Sequence, residues 1–148
     1  MTVPVFLDSN ILLYAVSKAV EDAPKREVAR ALMLQQGFGV SLQVLQEFYH
    51  VSRVKMRLRI GPEEAEQTIQ SLLRRPLAVM GLESFANARR LCVRYQLRYW
   101  DAAIIAAAQE LGAQTLYSED LSHAQSYDGV RVVNPFLDLG AHSLPPSG

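Results

Sequence analysis

The sequence predicts an α/β domain built on a Rossmann-like, mainly parallel five-stranded sheet with helices on both faces. Three observations carry this. Short apolar runs rich in β-branched and aromatic residues alternate with longer stretches of helical spacing along the whole chain. Those helical stretches are long enough to serve as crossovers between parallel strands. No internal repeat or dividing linker breaks the alternation, so the 148 residues read as one domain over 1–140 with a flexible C-terminal tail over 141–148.

Val3–Leu7 is the first strand, with Pro4 near its start, and Asn10–Val16 continues as a short helix. Ala23–Gln36 has helical spacing: Pro24 suits an early position, Val28, Ala31 and Leu32 make an apolar stripe, and Gly37 stops it. Phe38–Ser41 is the second strand. Leu42–Arg53 is helical through Leu42, Leu45, Phe48 and Tyr49. Pro62, Glu63 and Glu64 open a helix whose acidic first turn suits the helix dipole and which ends near Arg75-Pro76. Leu77–Met80 is the third strand. Glu83–Leu97 is a helix with Phe85, Ala88, Leu91 and Tyr95 inward, and Trp100–Leu111 is apolar on nearly every side, hence buried. Thr115–Tyr117 and Val130–Val133 complete the five strands.

Hydrophobic residues make up 49% of the chain and charged residues 20%, a globular balance rather than a disordered one. The apolar run Ala102–Ala108 is far shorter than the ~20 residues that span a bilayer, so no membrane association is expected. Cys92 is the single cysteine, which excludes an internal disulfide. With no basic leader visible at the N-terminus, a cytoplasmic location is expected.

Four acids stand at the edges of these elements. Asp8 ends the first strand, Asp101 opens the apolar helix, Asp120 follows the Thr115–Tyr117 strand, and Glu47 sits among apolar neighbours on its helix. Each has an ordinary alternative. Asp8 and Asp101 suit helix N-caps, worth ~0.5–2 kcal/mol. Asp120 suits a turn, and Glu47 an exposed helical position. Together they suggest one rim, because ligands of open parallel sheets sit beyond the carboxyl ends of the strands. Gathered carboxylates repel and raise each other's pKa, and burial adds to the cost. A hard divalent cation, Mg²⁺ or Mn²⁺, removes that conflict, with Ser9, Asn10 and Ser118 placed to orient the acids. Such an ion also activates water against a phosphodiester.

The segments "FLDSNILLYA", "SLQVLQEFYH", "RYWDAAIIAAA" and "LYSEDLSHAQSYDGVRVVNPF" resemble the PIN-domain family, the last two most closely its VapC-type ribonuclease toxins. The resemblance runs from about Val3 to Leu137. It implies that Asp8, Glu47, Asp101 and Asp120 hold Mg²⁺ or Mn²⁺, with Ser118 matching the hydroxyl that precedes the fourth acid. Asp8-Ser9-Asn10 stands where the family more often has Asp-Thr-Asn, keeping the hydroxyl. Glu119 leaves open which acid of the fourth block binds metal. The resemblance further implies an endoribonuclease toxin of a toxin–antitoxin pair, a homodimer, and a cognate antitoxin whose peptide segment fills the groove.

RNA contact is expected from basic and aromatic side chains. Net charge is zero, but setting the four acids aside leaves eleven acids against fifteen bases, twelve of them arginine. Arg53, Lys55, Arg57 and Arg59 follow the Glu47 helix, and Arg90, Arg94 and Arg98 share one helix face. Ordinary solvation explains each group about as well. Tyr99 and Trp100, next to Asp101, are the favoured base-stacking candidates over Tyr14 and Tyr49. The expected chemistry is hydrolysis by a metal-activated water, leaving a 5′-phosphate and a 3′-hydroxyl. A non-catalytic PIN-like domain that binds RNA or protein is the alternative. An aspartate-nucleophile phosphatase is a weaker one, because Asn10 occupies the place of its proton-transferring acid. Glu47 and His50 have the Glu-x-x-His spacing of di-iron bundles, but such sites need two of these motifs on a four-helix frame.

Overall fold

The computed structural model describes residues 2–35 and 37–139. The expected tail over 141–148 and the end of the second helix at Gln36 lie outside the described residues. The strands are β1 (Val5–Leu7), β2 (Phe38–Ser41), β3 (Leu77–Ala78), β4 (Thr115–Tyr117), β5 (Ser126–Tyr127) and β6 (Val130–Val133). The helices are α1 (Ser9–Val16), α2 (Ala23–Leu34), α3 (Leu42–Val54), α4 (Pro62–Leu72), α5 (Leu82–Tyr95) and α6 (Tyr99–Glu110), with 3₁₀ turns at Val20–Asp22 and Met56–Leu58. The strands form one sheet in the order β3-β2-β1-β4-β6-β5. Every pairing is parallel except β5 with β6.

The α/β reading therefore holds, with six strands in place of five. The extra strand is the two-residue β5, too short and too polar to announce itself by hydrophobicity. It is formed by a hairpin whose tip, Asp128-Gly129, takes φ +49° and +93°, the left-handed pair that a tight two-residue turn requires. Other boundaries move by one to three residues. The first strand begins at Val5 and the third ends at Ala78. Phe85, expected inward, is part-exposed and packs edge-on against Tyr99, while Ala88 and Leu91 fill the inward face of α5.

All four residues of β2 are buried, so both faces of the sheet are covered there. The α6 run Ala102–Ala108 is buried on every side. Five of its seven residues are alanine, which lets the helix lie close against β2, β3, β4 and β6 while α5 packs on its outer side. On α1, Ile11 and Leu12 are fully buried, and the helix packs against α2 and α3. Ser41 ends β2 and caps α3 by accepting a hydrogen bond from Val44 N at 3.2 Å, which fixes where the Glu47 helix starts.

Gly39 lies where β2 meets the helix layer. A Cβ there would stand 2.6 Å from Leu111 Cδ1 and 3.2 Å from the Pro76 carbonyl oxygen. Gly39→Ala is expected to destabilise the protein by about 1–3 kcal/mol through overpacking, read as a lower urea midpoint at unchanged m-value. An unmoved midpoint would mean that Leu111 yields freely.

Candidate active site

Connections from β1 and β4 leave the sheet in opposite directions, and the crevice beyond their carboxyl ends is the switch point at which such sheets bind ligands. Leu7 and Tyr117 are register partners, so the next residues, Asp8 and Ser118, emerge side by side. Ser118 Oγ donates to Asp8 Oδ2 at 2.7 Å, and the Ser9 amide donates to Asp8 Oδ1 at 2.7 Å. Asp8 is thus the N-cap of α1, tied at once to its own helix and to the neighbouring strand's end. The Ser9 hydroxyl reaches across to Glu47 Oε2 at 2.9 Å. Asn10 Nδ2 donates to Asp120 Oδ2 at 3.1 Å, while Asn10 Oδ1 accepts from the Glu119 amide at 3.2 Å. The Asp120 amide donates to Ser118 Oγ at 3.1 Å. Asp8, Glu47 and Asp120 are therefore joined through the three residues expected to orient them.

Asp8 is only 6% exposed. Burial pushes its carboxyl up to about 6; the Ser118 and Ser9 hydrogen bonds oppose this, and the charges of Glu47 and Asp120 add to it. Among the described residues, no lysine, arginine or histidine pairs with Asp8, Glu47 or Asp120. Also among the described residues, no three Asp, Glu, His or Cys side chains converge into a closed ligand set. Hydroxyl and amide groups lie between the carboxylates and hold them apart.

Asp101 stands outside this network. It is not the cap of α6, since Arg98 occupies that position, and its hydrogen bond is to Arg98 Nε at 3.3 Å. The link is indirect. Gln43 Nε2 donates both to Glu47 Oε1 at 3.0 Å and to the Trp100 carbonyl at 3.3 Å, bringing the first turn of α6 to Glu47. Trp100 is 67% exposed and stacks edge-on with Tyr99; both line a smaller apolar cavity of about 170 Å³ beside the crevice, with Gln43 on its edge.

The crevice itself is a cleft of about 330 Å³. Its lining is mixed: Ser9, Asn10, Glu47, Glu119 and Asp120 are polar or acidic, and His50, Lys55 and Arg57 are basic. The structure thus divides the expected arginines. Arg57 lines the cleft, although its guanidinium is tied to Asp22 at 3.0 Å and Glu21 at 3.3 Å. Arg53 is exposed and does not line it. Arg90 and Arg94 line a separate shallow groove with Arg89, where Arg94 pairs with Asp128. Gln43 was not singled out from the sequence, although its position four residues before Glu47 on one helix would have placed it. Lys25, which pairs with Glu119, carries no comparable sequence signal.

The buried acid makes stability depend on pH in the metal-free protein. A carboxyl raised from 3.8 to about 6 contributes fully below the lower value, and that contribution is lost as pH rises through the higher one. Metal-free wild type is therefore expected to lose roughly 3 kcal/mol relative to Asp8→Asn between pH 4 and pH 7. Urea unfolding in the presence of a chelator measures this. Parallel pH profiles for the two proteins would show that Asp8 carries no burden of charge.

A PIN domain family model matches residues 5–128. No curated relative matches the chain significantly. Solved structures share the fold at low identity. A sarcin–ricin-loop-cleaving toxin of Mycobacterium tuberculosis, VapC20, is 18% identical, with 86% of this chain and 98% of that chain covered and a TM-score of 0.63. A toxin–antitoxin complex from Klebsiella pneumoniae gives 19%, 88%, 97% and 0.61 for the same measures. DNA-bound VapBC from Salmonella typhimurium gives 14%, 90%, 99% and 0.63. With the family model spanning most of its length and the sheet order, crevice and acid positions as described, this chain belongs to the PIN domain family.

Proposed function

We propose that this protein is a Mg²⁺- or Mn²⁺-dependent endoribonuclease, the toxin of a toxin–antitoxin pair. The observation that carries the reading is the set of carboxylates Asp8, Glu47 and Asp120, linked at the switch point, one of them buried, with no basic partner among the described residues. The donor set suits a hard cation. All donors are oxygen, each carboxylate keeps free lone pairs, and the spacing by hydroxyl and amide groups suits an ion that retains waters. Asp8, Glu47 and Asp120 would hold it, with Asp101 as the fourth acid that the family resemblance supplies. When bound, the ion supplies polarisation of the phosphoryl group and a lowered pKa for water.

The remaining roles belong to the chain's own groups. Ser9, Asn10 and Ser118 hold the carboxylates in place before substrate arrives. Lys55, His50 and Arg57, which line the same cleft, meet the phosphates that flank the cut. Arg53, Arg90 and Arg94 do not line it and contribute at most along a longer strand. Exposed Trp100, with Tyr99 behind it, offers a stacking face for an unpaired base. The partner is a cognate antitoxin, as in the Klebsiella and Salmonella complexes, and the setting is the cytoplasm. No helix among the described residues is long and apolar enough to cross a membrane. Exposed Val79, Met80, Leu82 and Trp100 near the apolar cavity suit a homodimer contact.

The second reading is a PIN domain that binds RNA or protein without cutting. It is favoured by the lack of a closed acid cluster among the described residues. Sequencing the ends of transcripts incubated with purified protein and Mn²⁺ decides between the two. Cleavage with 5′-phosphate and 3′-hydroxyl ends is expected, and Asp8→Asn should slow it by about 100-fold or more. A 2′,3′-cyclic phosphate would reject hydrolysis by water. Tight RNA binding without cleavage would support the second reading.

A further inference from the structure

Asp120 has an acidic neighbour whose fate differs from its own. Glu119 lines the cleft beside Asp120 and also lines a second cavity of about 390 Å³ on the other side, with Pro24, Lys25 and Phe136. Both of its carboxylate oxygens are taken. The Tyr14 hydroxyl donates to Oε1 at 2.8 Å, and Lys25 Nζ donates to Oε2 at 2.5 Å. The ammonium is itself held in place. It donates to the Tyr14 hydroxyl at 3.2 Å and stands 4.7 Å from the Tyr14 ring centroid and 5.5 Å from that of Phe136, the two rings packing edge-on. Lys25 comes from the first turn of α2 and Tyr14 from α1, so two helices grip one side chain of the loop after β4.

We propose that Lys25 is a positioning residue that holds Glu119 out of the acid site, so that Asp120 alone of the two neighbouring acids serves the cation. This rests on the metal-dependent reading of that site. Glu119 is one methylene longer than Asp120 and borders the same cleft. Without the ammonium it keeps only the Tyr14 hydroxyl, its charge is left unneutralised beside the cleft, and it competes with Asp120 for the cation or adds to it. The clamp also fixes the loop from outside, while Asn10 fixes it from inside through the Glu119 amide and the Asp120 carboxylate.

The sign of the effect separates this role from plain structural support. Mn²⁺ alone is titrated calorimetrically into chelator-stripped full-length protein. Lys25→Met, which removes the countercharge of Glu119, is expected to bind Mn²⁺ about five-fold more tightly than wild type, because a nearby anion is left unpaired. The same variant should cleave RNA more slowly. Lys25→Arg should behave as wild type. In Lys25→Met/Glu119→Gln the freed charge is gone, so Mn²⁺ affinity should return to within about two-fold of Glu119→Gln. Weaker or unchanged Mn²⁺ binding in Lys25→Met, or a double variant that keeps the effect of the single one, would overturn the proposal. If Lys25→Met does not fold, Glu119→Gln decides alone: a loss of about ten-fold or more would make Glu119 a ligand rather than an excluded acid. Asp8→Asn distinguishes the two levels of the argument. Undiminished Mn²⁺ binding there would remove the acid site itself, and the clamp with it, whereas abolished binding beside an unresponsive Lys25→Met would reject the clamp alone.

Discussion

The hydrogen bond from Ser118 to Asp8 ties together the ends of two parallel strands, and the rest of the site is referenced to it. Both residues are buried, and both follow directly from the β1–β4 register. A slip of one residue in that register would turn Asp8 and Ser118 to opposite faces of the sheet. Phe6, Leu7 and Leu116 are fully buried in these two strands, each worth ~1.5–3 kcal/mol of hydrophobic stabilisation. That is the scale of the penalty for the buried Asp8 carboxylate, so the strands that place the acid also offset its cost. A loop alone would relax until the carboxylate reached water.

The charges of this half of the molecule fall into two groups. Asp22 is buried but fully engaged, accepting from Ser17 Oγ at 2.7 Å and from Arg57 at 3.0 Å. Glu119 is engaged by Lys25 and Tyr14. These are the arrangements that stability favours, since a buried charge without a partner costs several kcal/mol. Asp8, Glu47 and Asp120 instead receive neutral donors, serine and asparagine, which orient a carboxylate without neutralising it. Basic side chains are near, because Lys55 and Arg57 line the same cleft, yet neither pairs with these acids, and Arg57 is taken by Asp22 and Glu21.

What the sequence revealed, and what it hid, follows the range of each interaction. β1 and β4 announced themselves through local apolar runs, and with them the positions of Asp8 and Ser118. Glu47 was legible because an acid among Leu45, Phe48 and Tyr49 breaks a local pattern. Asn10 lies two residues after Asp8, so its place near that acid was legible, although its bond to Asp120 across 110 positions was not. Lys25 was invisible for the opposite reason: its partner lies 94 residues away, and nothing in its own helix distinguishes it from a solvated lysine. The arginine groups misled in a related way. Arg90 and Arg94 do share a helix face, but helical spacing says nothing about which groove that face borders. The strand β5 was missed although Asp128-Gly129 is a strong hairpin signal, because two residues are too few to show a period.

Asp8, Glu47, Asp120 and Asp101 are not held with equal firmness. Three are fixed by hydrogen bonds to residues on α1, α3 and the loop after β4. Asp101 is fixed only by the placement of α6, which depends on alanine packing against the sheet and on the Gln43 bridge to the Trp100 carbonyl. Its own partner, Arg98, is highly exposed, and an exposed ion pair of this kind is worth ~0–1 kcal/mol. Little opposes a change of partner for Asp101, whereas moving Asp8 would break two buried hydrogen bonds at 2.7 Å. The acid with the weakest native tie is also the one closest to Trp100, the exposed aromatic that borders the cleft's neighbouring cavity.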